Sequence, residues 1–198
     1  MTTDVTNHGL IDLDSLFKIQ YGMYIVTSRD GNKLNGQIAT TVMQVTCDPI
    51  KIMTCLSRNT LTHEMVVKSK IFGISVLNEN TPMKFIGHFG YRSGRDFSKF
   101  ENIAYEMGPT GAPLVTENVI TVLDAKVIDI FDVKTHTIFI GQVESSKNLK
   151  EGVAMTYEFY HTDLKGKSPE NAPTYQGNNK ACATIAGTAC HPDIQKDL

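Results

Sequence analysis

The dipeptide Asp30-Gly31 separates two runs rich in β-branched and aromatic residues, Tyr21–Arg29 (YGMYIVTSR) and a second strand over Lys33–Thr46, and this arrangement narrows the fold more than any other feature. Asp-Gly between such runs signals a hairpin, because both central residues of a tight turn must tolerate positive φ. Asp48-Pro49 ends the second strand, since proline has no N–H to give to a ladder. A third strand is predicted over Ile50–Leu56 and a fourth over Ile71–Leu77, and two long apolar strands follow over Val119–Val133 and Thr135–Val143. Helices are few and short. One or two turns fall over Asp14–Lys18, and a second helix runs over Thr62–Lys68 with Asn59 or Thr60 as cap. A third opens at Thr81-Pro82 and runs to about Phe89, with Thr as cap and Pro at the first helical position. The chain therefore reads as mainly β, and as a closed barrel in preference to a βαβ sheet.

Its 198 residues suit one domain with a sizeable core. Residues 1–175 form that domain in this reading. The tail, 176–198, has Pro, Asn, Gly, Thr and Ala without periodicity and is expected to be loosely ordered or packed on another subunit. A net charge of −2 gives no electrostatic case for nucleic acid or an acidic membrane. The N-terminal segment lacks the basic start and apolar stretch of a secretion signal, and no apolar run approaches the ~20 residues of a membrane helix. Cys47, Cys55, Cys182 and Cys190 make no Cys-x-x-Cys pair, so neither a zinc nor a rubredoxin-type iron site is read. Few cysteines and no export signal point to a reducing cytoplasm. Cys55 lies in a strand pattern and reads as a small buried hydrophobe. His63-Glu64 begins like a zinc-protease helix, but Val67 stands where the second His is required. There is no Gly-x-Gly-x-x-Gly and no Walker loop.

Three segments carry candidate chemistry. Ser57-Arg58-Asn59-Thr60-Leu61-Thr62 lies between a strand and a helix, where free N–H groups favour an anion; Arg58 adds a charge, and Ser57, Asn59 and Thr62 add donors. A capped helix with a solvated arginine fits the same residues. Asn35-Gly36-Gln37-Ile38-Ala39-Thr40-Thr41 places small and polar residues inside a strand; either a flat ring lies against Gly36, or the glycine marks a bulge at a barrel corner. Phe89-Gly90-Tyr91-Arg92-Ser93-Gly94-Arg95 reads as a lid or as a solvated loop. His136 opens the strand THTIFIGQV, where a lone histidine is more often structural than catalytic.

In this order, the segments YGMYIVTSRDGNKLNGQIATTVMQVTCDPIKI, SRNTLTHEMVVKSKIFGISVL, PMKFIGHFGYRSGRDFSKFE, GAPLV, THTIFIGQV and MTYEFYH resemble the flavin reductase-like family, over roughly Leu13–Tyr175. The nearest likeness is to the flavoprotein module of high-molecular-weight rubredoxins and to flavoredoxin-like proteins. The resemblance implies an FMN-binding split β-barrel (Greek-key) that works as a homodimer. It implies that Asn35–Thr41 border the isoalloxazine and that Ser57, Arg58, Asn59 and Thr62 surround the FMN phosphate. Phe89 and Arg92 would lie at the flavin edge, His136 would face the nicotinamide side, and Tyr160 and the tail would lie near the dimer interface. The family's Ser-Ser pair is replaced here by Ala39-Thr40-Thr41, and no rubredoxin domain follows. The implied activity is hydride transfer from NADH or NADPH to FMN, with electrons passing to free flavin, a protein partner or oxygen. Such chemistry rests on orientation and not on an acid–base dyad. On this reading Arg58→Ala loses a charge-assisted bond worth roughly 1.5–3 kcal/mol of FMN binding. The rival readings are an FMN electron carrier that does not oxidise nicotinamides, and a split barrel that binds another small molecule. A pyridoxamine-phosphate oxidase-like enzyme shares the architecture but not these segments.

Overall fold

A computed structural model describes residues 13–175; Cys182, Cys190 and the tail fall outside the described residues. Seven strands form one antiparallel sheet. In chain order they are β1 (Tyr24–Asp30), β2 (Lys33–Ala39), β3 (Val42–Cys47), β4 (Ile50–Ser57), β5 (Ile71–Leu77), β8 (Val119–Asp132) and β9 (His136–Asn148). A short pair, β6 (Tyr105–Met107) and β7 (Pro113–Val115), stands apart. The helices are α1 (Leu61–Ser69), α2 (Met83–Gly90) and α3 (Tyr157–Thr162), after a 3-10 turn over Leu13–Lys18. None of these helices is long and apolar enough to cross a membrane.

The sheet runs β2-β1-β5-β8-β9-β4-β3, so its two edge strands are neighbours in sequence. The predicted single strand over Lys33–Thr46 is therefore two strands. The chain bends at Thr40-Thr41 and passes from one edge of the sheet to the other. Two β-branched threonines favour strand by propensity, and only the separate pairings of β2 with β1 and of β3 with β4 expose the break. The hairpin turn is also displaced by one residue. Its loop is Gly31-Asn32, and of these only Gly31 lies at positive φ, +57°, which suits a turn with glycine at the first central position.

Ile25 to Ser28 of β1 are all buried, but successive side chains face different layers. Ile25 belongs to a cluster with Phe85, Ile86, Phe89, Tyr157 and Tyr160 beneath α2 and α3. Its neighbour Val26 belongs to the barrel core with Leu56, Phe72, Ile74, Ala125 and Phe139. One strand thus serves two apolar layers, as the two-residue period of a strand requires. Helix α1 caps the barrel core with Val66, and its N-cap is Thr60, whose hydroxyl accepts from the His63 N–H. Thr81 does not cap α2 as expected. Pro82 holds that position, and the Thr81 hydroxyl is taken by the carbonyls of Asn78 (2.6 Å) and Asn118 (2.8 Å). Helix α3 went unread, because Tyr157, Phe159 and Tyr160 favour strands.

Candidate functional site

The bend at Thr40-Thr41 lies beside a cavity of about 290 Å³. One wall is β2, through Asn35, Gln37, Ile38 and Ala39, continued by Thr40. Ser57 at the end of β4, then Asn59, Thr60, Leu61 and Thr62, form the second wall at the start of α1. The end of α2 and the following loop bring Phe89, Tyr91, Arg92 and Arg95. Tyr157 and Tyr160 of α3 and parts of the segment 167–173 complete the lining.

Polar atoms of the β2 wall lack partners. Asn35 Oδ1, Gln37 Oε1 and Thr40 Oγ1 are buried without a hydrogen bond, whereas Asn35 Nδ2 donates to Thr62 Oγ1 at 2.9 Å and so ties the two walls together. An unbonded buried amide or hydroxyl costs roughly 1–3 kcal/mol. Two amide acceptors and a hydroxyl that can donate or accept, along one cavity wall, describe a surface that awaits a hydrogen-bonding occupant. Opposite, α1 presents the N–H groups of its first turn and the positive end of its dipole. At Gly94 a Cβ would collide with Asn35 Oδ1, so only glycine lets the loop close over this wall.

The loop after α2 is pinned from several sides. Lys99 Nζ donates to the carbonyls of Gly36 (2.9 Å) and Phe89 (2.8 Å), and His88 Nε2 donates to the Lys99 carbonyl at 2.7 Å. The Arg92 guanidinium lies 5.2 Å from the centroid of Phe97. Arg95 forks onto Glu64, whose carboxyl is held below its usual range by that bond. Across the cavity, the hydroxyls of Tyr91 and Tyr160 share a hydrogen bond at 2.5 Å, and both lie within reach of the Lys167 carbonyl, at 2.8 and 3.0 Å. Burial holds the Tyr160 phenol well above its ordinary value, so it remains a neutral donor.

The cavity collects most of the residues singled out from the sequence: Asn35, Gln37, Ile38, Ala39, Thr40, Ser57, Asn59, Thr62, Phe89, Arg92 and Tyr160. Gly36, Thr41, Arg58 and His136 are not in its lining. A Cβ on Gly36 would meet Thr27 Cγ2 at 3.0 Å and Phe89 Cε1 at 3.3 Å. The pairing of β1 with β2 also runs without a register shift, so the glycine makes room for Phe89 and not for a bulge. Arg58 forms an ion pair with Asp132 at 2.7 Å, both side chains being more than half exposed. His136 Nε2 donates to the carbonyl of Asn171 at 3.3 Å, and so reaches the cavity only through the segment that covers it. Lys99 was missed as a separate feature. Within Asp96-Phe97-Ser98-Lys99-Phe100-Glu101 it reads as a solvated lysine between acidic neighbours, and no local pattern marks it as buried.

An antiparallel sheet whose two edge strands are joined at a bend beside a cavity is the arrangement of a split barrel. The chain belongs to the flavin reductase-like family: the family model for the flavin reductase like domain matches residues 16–166. A ferric-chelate reductase (NAD(P)H) of Archaeoglobus fulgidus is 45% identical over 165 residues, 83% of this chain and 98% of that protein. A high molecular weight rubredoxin of Moorella thermoacetica is 39% identical over 165 residues, 83% of this chain and 72% of that protein. Among solved structures, the Streptomyces globisporus NADH:FAD oxidoreductase SgcE6 superposes with a TM-score of 0.67 at 22% identity, covering 79% of this chain and 92% of that one. At that identity the likeness concerns the fold.

Proposed function

We propose that the cavity holds FMN and that the protein uses NADH or NADPH to reduce it, passing the electrons to an external acceptor. Bound flavin supplies the redox chemistry, accepting a hydride at its ring; the chain binds, orients and shields. The observation that carries this reading is the row of unbonded polar atoms on Asn35, Gln37 and Thr40, which suits the mixed donor and acceptor edge of an isoalloxazine. Ser57, Asn59 and Thr62, with the first turn of α1, are assigned to the phosphate. Phe89 and Arg92 border the ring edge, and Tyr160 keeps the cover of the cavity in place through Lys167. The purified protein should absorb near 450 nm, approximately as flavin does, and bleach on anaerobic addition of NADH or NADPH. A coloured preparation that neither nucleotide bleaches would instead be an electron carrier, and a colourless one that takes up no FMN would end the flavin reading. Because the Archaeoglobus fulgidus relative is named a ferric-chelate reductase and aligns over nearly its whole length, a ferric chelate joins free flavin, oxygen and a redox protein as an acceptor to assay.

Two substitutions separate roles within this site. Arg58 would have to leave Asp132 to reach a phosphate, and an exposed pair contributes ~0–1 kcal/mol. Arg58→Ala is therefore expected to weaken FMN binding by less than about 1 kcal/mol in a fluorescence titration, less than the sequence alone implied. His136→Ala removes the bond to Asn171 and should slow hydride transfer roughly 2- to 12-fold, the span of one neutral hydrogen bond, without releasing FMN. Stopped-flow reduction at the normal rate would remove His136 from the mechanism.

We also infer a homodimer in the cytoplasm. Met43 and Val45 on β3, Ile50 on β4, and Ile128 and Phe131 on β8 are large apolar side chains left 41–56% exposed. Strand β3 is a sheet edge, and an exposed apolar edge invites a second chain. Sedimentation at twice the chain mass supports this, and a monomer at micromolar concentration overturns it.

A further inference from the structure

Lys99 is 4% exposed and borders the cavity with Asn35 and Gln37, yet among the described residues no carboxylate pairs with it. The four ion pairs among the described residues, Arg58–Asp132, Lys68–Asp30, Arg95–Glu64 and Lys147–Glu106, all use side chains at least 43% exposed. Lys99 Nζ has instead the carbonyls of Gly36 and Phe89, at 2.9 and 2.8 Å, which occupy two of an ammonium's three donor positions. Burial with no opposing charge pulls the group down to about 8. A buried, unpaired cation destabilises a fold unless something recovers the loss. Clamping a loop would not require a charge, since a neutral amide or hydroxyl also donates to carbonyls.

On the reading that the cavity holds FMN, we propose that Lys99 sets its charge preference: this ammonium makes the site bind the reduced ring system more tightly than the oxidised one. The electron count gives the reason. The oxidised ring system is neutral. A hydride brings one proton and two electrons from C4 of the nicotinamide to N5 of the ring; the nicotinamide leaves as its cation, and the ring system gains one negative charge. A fixed cation in a wall shielded from water stabilises that charge as it develops, and it needs no reorganisation during the transfer. Lys99 is placed for this by Gly36 on β2 and by Phe89 at the end of α2, both of which hold it at the cavity.

The test compares Lys99→Met with Lys99→Arg in the full chain. Two quantities are measured: the Kd for oxidised FMN by fluorescence titration, and the midpoint potential of bound FMN by equilibration with a reference dye. Together they give the Kd of the reduced form. Lys99→Met is expected to weaken reduced FMN at least about tenfold more than oxidised FMN, a fall of about 30 mV or more for a two-electron couple, whereas Lys99→Arg keeps the wild-type potential. Equal losses for both redox forms would make Lys99 a loop clamp only. A loss seen with FMN but absent with riboflavin would assign the ammonium to the phosphate. Either result overturns the proposal. If Lys99→Met does not fold, Lys99→Gln keeps a donor for one carbonyl, removes the charge and supports the same comparison. Wild-type protein that takes up no flavin at all would instead sink the FMN reading on which this inference rests.

Discussion

Phe72→Ala is expected to destabilise the protein by about 3–5 kcal/mol, a large part of the total stability of a domain this size. Phe72 is completely buried in the barrel core with Val26, Leu56, Ile74 and Phe139. Its ring fills the space in front of β9, where a Cβ on Gly141 would stand 2.5 Å from Phe72 Cζ and 3.0 Å from the Ala125 methyl. Truncation therefore opens a cavity lined partly by backbone, and backbone in a paired strand cannot relax into it. Urea unfolding should report the loss as a lower midpoint with an unchanged slope. A change below about 1 kcal/mol would mean that the site collapses freely, contrary to the packing described.

Asn35→Leu should have the largest effect on the ligand, about 2–3 kcal/mol or a 30- to 140-fold rise in the Kd for FMN. The amide works in two directions. Its Nδ2 satisfies Thr62 across the cavity, and its Oδ1 is left for the occupant. Leucine removes both and leaves the buried Thr62 hydroxyl without its donor. A fluorescence titration that returned the wild-type Kd would show that the β2 wall does not face the flavin.

Strand β5 was legible from the sequence to the residue, because Ile71–Leu77 is a short apolar run bounded by polar residues on both sides. Strand β9 was legible only in its apolar half. Its continuation over Glu144–Asn148 is exposed and polar, and it exists because β8 is long enough to pair with it. The break at Thr40-Thr41 was hidden, because both residues suit a strand and the bend is imposed by which partners β2 and β3 find. The site shows the same division. Asn35, Gln37 and Thr40 stood out as polar residues in a strand, which is unusual within any short window. The partner of Arg58 is Asp132, seventy-four positions away, and no local pattern announces such a contact. Lys99 escaped for a related reason, since only the fold shows that both of its neighbours are carbonyls and neither is an acid.

The two margins of the sheet are joined by the chain itself at Thr40-Thr41, and the cavity straddles that junction. A molecule that bridges Gln37 and Thr40 on one side and the start of α1 on the other acts as a clasp on the seam. On the proposed reading that FMN is this molecule, occupancy and barrel integrity are linked, and every tenfold excess of FMN over its Kd adds about 1.4 kcal/mol to the folded state. Amide exchange in β2 and β4, which flank the cavity, would slow as the site fills, and so would exchange in β5 wherever it proceeds by global unfolding.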